Sequence, residues 1–280
     1  MRTQLIEALR TLGYVEGQTI AFEVRTAENN LERLPALAAE LVRSKVDIIV
    51  AVSPPAIRAA KQATSTIPIV MGFWGGEGLL ESGVVASFAR PGGNITGVYM
   101  LSAELDAKRL DVLLEALPSA RRIAVLNRGN GMPFTQVREA ARKGGILLHI
   151  TDPPGPEGYD LVFDTMAKAH VDAVLVLSFP RFYFERQRII EAAARRRIPA
   201  MYEWGEIARD GGLMAYGPVI AELTRRVAIY MDRILKGANP GDLPIEQPTQ
   251  FEFVVNLRTA KLLGLTIPES ILVRADEVIR

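Results

Sequence analysis

The sequence predicts an α/β protein built from two doubly wound, parallel-sheet lobes, and three observations predict it. Apolar segments of strand length alternate with amphipathic segments of helix length along most of the chain, which argues for parallel sheets covered on both faces. The 280 residues exceed one usual domain and suit two of roughly 100–150 residues each. The halves also share landmarks in the same order. Val46-Asp47 opens a strand reaching Ser53-Pro54, and Val171-Asp172 opens one reaching Ser178-Phe179-Pro180. Ile67-Pro68 and Ile198-Pro199 each precede a short strand, and Phe73-Trp74-Gly75 and Glu203-Trp204-Gly205 follow.

Taken in order, Leu5, Ile6, Leu9 and Leu12 form an apolar stripe at helical spacing, and Gly13 stops that helix. Thr19 to Arg25 alternates as a strand. A helix over Leu31 to Arg43 leads to a buried strand, Val46 to Val52, and a helix over Ala56 to Thr64 leads to strand Ile67 to Met71. Val84, Val85 and Phe88 fill a short helical turn. Arg90-Pro91-Gly92-Gly93-Asn94 breaks it, since proline bars the helical register and glycine accepts positive φ. Ile95 to Tyr99 is then the last strand of the first half, and Ser102 is expected to cap a long helix running to Leu117.

The second half repeats the plan. Strands are expected at Arg122 to Asn127, Ile146 to Ile150, Ala173 to Leu177, Pro199 to Tyr202 and Leu213 to Tyr216. Helices fall at Pro133 to Arg142, Glu157 to Ala169, Phe184 to Arg196 and Ile220 to Leu235. Gly237 to Pro248 is a connector, Phe251 to Asn256 a strand and Leu257 to Leu263 a helix.

Composition excludes several chemistries. The formal charge of +1 makes no case for binding nucleic acid, and with no cysteine there are no disulfides, thiolate metal sites or cysteine nucleophiles. The runs Arg121-Arg122 and Arg195-Arg196-Arg197 sit between a helix end and a strand, where cations oppose the helix dipole. No apolar run approaches the roughly 18 residues of a membrane span. Gly72 to Gly78 matches no phosphate-binding loop, and neither G-x-S-x-G nor H-E-x-x-H is present. His149 and His170 lie 21 positions apart and outside the loops that follow the strands. No metal, cofactor or catalytic set is expected, although Glu203 and Glu206 straddle Trp204 as a candidate carboxylate pair.

Ligands of open parallel sheets bind beyond the carboxyl ends of the strands. The residues there are Ser53, Pro54, Phe73, Trp74, Asn127, Arg128, Asn130, Ser178, Phe179, Tyr202, Trp204 and Tyr216. Aromatic walls with hydroxyls, amides and one guanidinium suit a small organic solute with an apolar or aromatic body and a polar end. Arg128 is the candidate for a carboxylate. The two tryptophans fall in corresponding positions, which is the pattern expected if both face a shared cleft.

Several segments resemble one family. Arg90-Pro91-Gly92-Gly93-Asn94-Ile95-Thr96-Gly97 is similar to the ARPGGN-[IV]-TG signature of ABC-transporter solute-binding proteins. Leu12 to Gly17, Arg33 to Val42, Lys61 to Val70, Gly212 to Gly217, Ile234 to Ala238, Leu263 to Pro268 and Arg274 to Ile279 resemble further segments of that family. Where the family commonly has Gly-Asp-Pro six residues before its Gly-Leu-Val, this chain has Glu77-Gly78-Leu79, without the acid and proline suited to starting that helix.

The resemblance implies the type I periplasmic-binding fold, in which the chain crosses between lobes three times. Lobe 1 is then expected over 1–99 and 217–238, and lobe 2 over 100–216 and 239–280. It implies an extracytoplasmic receptor that closes on a solute by hinge motion and hands it to an ABC-transporter permease, without naming the solute. It also implies an apolar strand upstream of Leu5, preceded by an export signal. The reading frame is therefore expected to begin before Met1, and the first strand of lobe 1 to be missing. Two other classes stay open from the residues alone: the effector-binding module of a regulator, and an enzyme on a Rossmann-like lobe.

Overall fold

A computed structural model describes residues 2–28, 30–75, 78–127, 134–153 and 155–280. Up to residue 100 the elements are α1 (Arg2–Thr11), α2 (Leu34–Arg43), β1 (Ile49–Val52), α3 (Pro54–Ala63), β2 (Ile69–Trp74) and β3 (Ile95–Tyr99). The middle of the chain forms α4 (Ser102–Ala116), β4 (Arg122–Leu126), α5 (Thr135–Lys143), β5 (Leu147–Thr151), α6 (Tyr159–Lys168) and β6 (Ala173–Val176). Next come α7 (Pro180–Phe184), α8 (Arg186–Arg195), β7 (Ala200–Tyr202), α9 (Gly205–Arg209) and β8 (Met214–Pro218). The remainder is α10 (Ile220–Leu235), β9 (Phe251–Asn256), α11 (Leu257–Leu263), α12 (Glu269–Leu272) and β10 (Glu277–Ile279). The chain folds into two compact units, one of residues 1–100 with 220–249 and one of 101–219 with 250–280.

In the first unit β1, β2 and β3 form a parallel sheet in that order. All six residues of β2 are buried, since α3 packs on it from one part of the chain and α10 from another. The pairing of β2 with β3 needs a glycine. Gly97 has φ +135°, and a Cβ there would lie 2.3 Å from the Met71 carbonyl oxygen. α1 packs along α10, and Tyr14 after α1 donates to Asp232 on it at 3.0 Å.

Several expectations for this unit are corrected. The strand expected over Thr19 to Arg25 is limited to a bridge between Glu16 and Ile20. An extended segment becomes a strand only where a ladder reaches it, and among the described residues β1 pairs with β2 alone. Residues 22–25 are held by side chains instead, with Arg25 on Glu40 at 2.9 Å and Phe22 under the Arg2 guanidinium at 6.0 Å. The helical turn expected at Val84 to Phe88 is a run of bends, with Val84 and Val85 buried. Residues 239–249, expected in the second lobe, pack on β3. Thr96 donates to the Leu243 carbonyl at 2.7 Å, the Glu246 amide donates to Gly97 at 3.1 Å, and the Tyr99 amide donates to Glu246 at 2.9 Å. The chain therefore enters the second unit after Thr249, past the Gly237 to Pro248 connector.

In the second unit seven strands lie in the order β10-β9-β8-β7-β6-β4-β5. Leu113, Ile123, Val125, Leu175, Met214 and Val255 belong to its core. The sheet is parallel except between β8 and β9. The chain leaves this unit at the end of β8 and returns at the start of β9, with Pro218 opposite Phe251, so the two strands must run oppositely. Ser102 does not cap α4. Leu101, in the left-handed region at φ 53°, takes the cap position, and Ser102 is the first helical residue with its hydroxyl buried and unpartnered among the described residues.

Candidate functional site

At the carboxyl ends of β6, β7 and β8 the second unit holds a buried polar network. Asp106 and Arg109 are three residues apart on α4 and so project from one face; both side chains are fully buried. Arg109 Nη2 donates to Asp106 Oδ1 at 2.7 Å and to Ser178 Oγ at 2.7 Å, while Nη1 donates to the Tyr216 carbonyl at 3.0 Å. The Ser178 amide donates to Asp106 Oδ1 at 3.1 Å, and its hydroxyl donates to Glu203 Oε1. Glu203 Oε1 also lies 3.8 Å from Arg109 Nη2. Buried charges persist when they are paired and hydrogen-bonded; among the described residues Arg109 meets the carboxylates of both Asp106 and Glu203. Among the described residues only Arg109 Nε of this guanidinium is left without a partner. β8 reaches the network because Gly217 passes so close to Glu203 that a Cβ would lie 2.1 Å from its carbonyl oxygen.

Beside the network is a small pocket lined by Phe179, Phe182, Tyr183, Glu203, Trp204 and Ile207 with the end of β6. Its walls form because Pro180 starts α7 directly after Ser178-Phe179. That helix brings Phe182 edge-on to Phe179, with centroids 5.9 Å apart, and Tyr183 edge-on to Trp204 at 6.3 Å. Arg186 covers Tyr183 at 4.8 Å and is itself bound by Asp210 at 2.6 Å. Arg181 and Tyr159 both donate to Glu185, which fixes α7. Burial pushes the Tyr159 and Tyr183 hydroxyls above the usual phenol range. Glu206 is pushed up as well, first by burial and then by the neighbouring Glu252 carboxylate; its Oε2 has no partner among the described residues.

The residues singled out from the sequence are distributed as follows. Ser178, Phe179 and Trp204 meet at this network and pocket. Tyr202 is fully buried with its ring against Gly212, turned into the core. Tyr216 stacks on Phe251 at 6.3 Å and gives the network its carbonyl. Asn127 follows β4, with its side-chain oxygen buried and unpartnered among the described residues. Arg128 and Asn130 lie outside the described residues. The pair Glu203 and Glu206 does not act as one: Glu203 belongs to the network, and Glu206 lies in the first turn of α9.

Ser53, Pro54, Phe73 and Trp74 belong to the first unit, at the ends of β1 and β2. Ser53 adopts φ 93°, a strained conformation for a residue with a side chain. Its amide donates to the Phe73 carbonyl at 3.2 Å, and its hydroxyl leaves α3 uncapped. Trp74 is 1% exposed under the Arg58 guanidinium at 5.5 Å, and its indole N–H has no partner among the described residues.

Asp106, Arg109, Glu203 as an anchor, Phe182 and Tyr183 were not singled out from the sequence. For the first pair a signal exists: an acid and a base three apart on the face of α4 that also carries Leu110 and Leu113.

The model of the ABC transporter substrate binding protein family matches residues 1–279. A tyrosine-binding protein of Clostridioides difficile strain R20291 is 25% identical over 271 residues, spanning 93% of this chain and 75% of that relative. Among solved structures, a conserved domain protein from Vibrio cholerae O1 biovar El Tor strain N16961 superposes with a TM-score of 0.87 at 25% identity, covering 99% of this chain and 93% of that one. An ABC domain from Streptococcus pneumonia, solved in complex with L-Trp, superposes with a TM-score of 0.86 at 23% identity and the same coverage.

Proposed function

Because the chain belongs to the ABC transporter substrate-binding protein family, we propose that it is the extracytoplasmic receptor of an ABC importer, which captures a small aromatic, amino-acid-like solute and passes it unchanged to a membrane permease. The observation that carries this reading is the pocket beyond β6 and β7, where Phe179, Tyr183 and Trp204 stand beside the anchored polar groups Ser178 and Glu203. Aromatic walls with a few fixed polar groups are how small organic molecules are held and oriented. The names of two similar proteins point to the same solute class, since one is a tyrosine-binding protein and another was solved with L-Trp.

The pocket is far smaller than the several hundred cubic ångströms of a full small-molecule site, so on this reading it takes at most one end of the solute.

A thermal-shift series with L-tyrosine, L-tryptophan, L-phenylalanine, aliphatic amino acids and sugars tests it. A solute that binds the native state raises the melting temperature as its concentration exceeds Kd. The aromatic amino acids should stabilise the protein and the aliphatic ones should not. A shift confined to sugars or aliphatic amino acids contradicts the assignment.

A further inference from the structure

The strand on which the chain returns to the second unit reaches the pocket wall through one side chain. Glu252 is the second residue of β9, just past the point of re-entry at Gln250. In the ladder it lies opposite Gly217 of β8, the strand on which the chain leaves the unit after Val219. Both members of this rung press on the loop that carries Trp204. Gly217 passes against the Glu203 carbonyl, and the Glu252 carboxylate lies over Gly205, where a Cβ would be 2.3 Å from Oε1 and 2.5 Å from Cδ.

Trp204 takes the N-cap position of α9, and Trp204 and Ile207 line the pocket. At the far end of α9, Arg209 donates to Glu252 Oε2 at 2.5 Å and to Oε1 at 3.4 Å. One carboxylate therefore holds both ends of a five-residue helix. A helix that short has no stability of its own, so its place is set by β8 and β9, against which it packs. The bond from Arg209 is charge-assisted and directional, and the absence of a side chain at Gly205 is what admits the carboxylate.

We infer that Glu252 is a positioning residue for the pocket. By holding α9 at Gly205 and Arg209 it fixes Trp204 relative to β8 and β9, so a shift of these strands where the chain leaves and re-enters the unit is carried to the pocket wall. Packed side chains and rigid elements are the physical carriers of such coupling. The placement of Trp204 does not depend on what the pocket binds; the effect on affinity rests on the reading of the pocket as a solute subsite.

Acrylamide quenching of the full chain carrying Trp74→Phe tests it, since Trp204 is then the one tryptophan. Glu252→Ala and Gly205→Ala should each make Trp204 more accessible to the quencher. Each should also weaken L-tyrosine binding, measured by calorimetry, at least about twofold, the low end of coupling between residues in contact. Gly205 lies outside the left-handed region, so alanine there acts by displacing the carboxylate. In the double variant it should add nothing to Glu252→Ala, because the group it would meet is gone. Glu277→Gln removes Arg209's other carboxylate partner, at 2.8 Å, and should leave Trp204 unchanged. Unaltered quenching in Glu252→Ala, or effects of the two substitutions that simply add, would overturn the positioning role whatever the solute proves to be. If Glu252→Ala fails to fold, unaltered quenching in Gly205→Ala would overturn it equally. A displaced Trp204 with undiminished L-tyrosine affinity would overturn the link to binding. Failure of the unaltered protein to bind L-tyrosine would count against the solute class, and the quenching comparison would still decide the positioning role.

Discussion

Arg109 and Asp106 form an ion pair at 2.7 Å across one turn of α4, with both side chains fully removed from solvent. The pair sits under the loop that follows β6, because the Ser178 amide and hydroxyl are each bound to one of its members. A buried pair of this kind is weak evidence for stability as a whole, but breaking it is costly. Removing one partner takes from the other its shortest charged contact in the core.

Arg109→Met is expected to lower the unfolding free energy by about 3–5 kcal/mol, the usual cost of breaking a buried pair, and Asp106→Ala by less, because Glu203 Oε1 remains 3.8 Å from Arg109. Arg109→Lys should not restore the loss, since an ammonium cannot reproduce the planar fork that reaches Asp106, Ser178 and Tyr216 together. Urea denaturation followed by circular dichroism checks both statements. A change under about 1 kcal/mol, on the scale of a solvent-exposed pair, would show that water reaches the network.

Gly97→Ala is expected to loosen β3 from β2. Left-handed strain alone costs about 1–3 kcal/mol, and the new methyl would collide with the backbone of Met71. Hydrogen exchange should show faster opening of amides in β2 and β3, with the strands of the second unit unaffected.

Glu206 makes stability depend on pH in a direction opposite to that of most carboxyls. Its folded pKa is raised by burial, so above the unfolded value the folded state holds more protons than the unfolded state. Stability from this group therefore falls as pH rises from the unfolded carboxyl value through the raised folded one. Glu206→Gln removes that loss. The melting temperature of the variant relative to the unaltered protein should be more favourable at neutral pH than at a pH near the ordinary carboxyl value. An offset independent of pH would sink the assignment.

The two tryptophans should report differently on the solute. Trp204 lines the pocket, whereas Trp74 is buried under Arg58 as a strand residue. Emission changes on adding L-tyrosine should be largely lost in Trp204→Phe and largely kept in Trp74→Phe. The reverse pattern would move the solute's principal contact to the first unit.

Much of the fold was legible because β1, β2, β4 and β6 are short apolar runs bounded by turns, and because Ser53-Pro54 and Phe179-Pro180 mark where strands give way to helices. Thr19 to Arg25 misled, because alternation describes a surface that a ladder can use and carries no information about whether a neighbour is present. The return of β9 antiparallel to β8 was not legible either, since direction is set by where the chain re-enters the unit. At the candidate pocket, the places of Ser178, Phe179 and Trp204 were legible from their position after strands. Asp106 and Arg109 were missed because α4 lies below those loops, and its charged pair reaches the site only in three dimensions. Tyr202 misled for a related reason: the end of a strand fixes the place of a backbone, while the ring turned inward against Gly212.

The central claim is that this chain binds an aromatic amino acid and releases it unaltered, and equilibrium dialysis of the full chain against L-tyrosine and L-tryptophan measures it most directly. Saturable uptake of one equivalent of at least one of them, recovered chemically intact from the protein, is the predicted result. Absence of uptake of both at millimolar concentration, on the order of the weakest useful affinities, or recovery of a converted product, would contradict it.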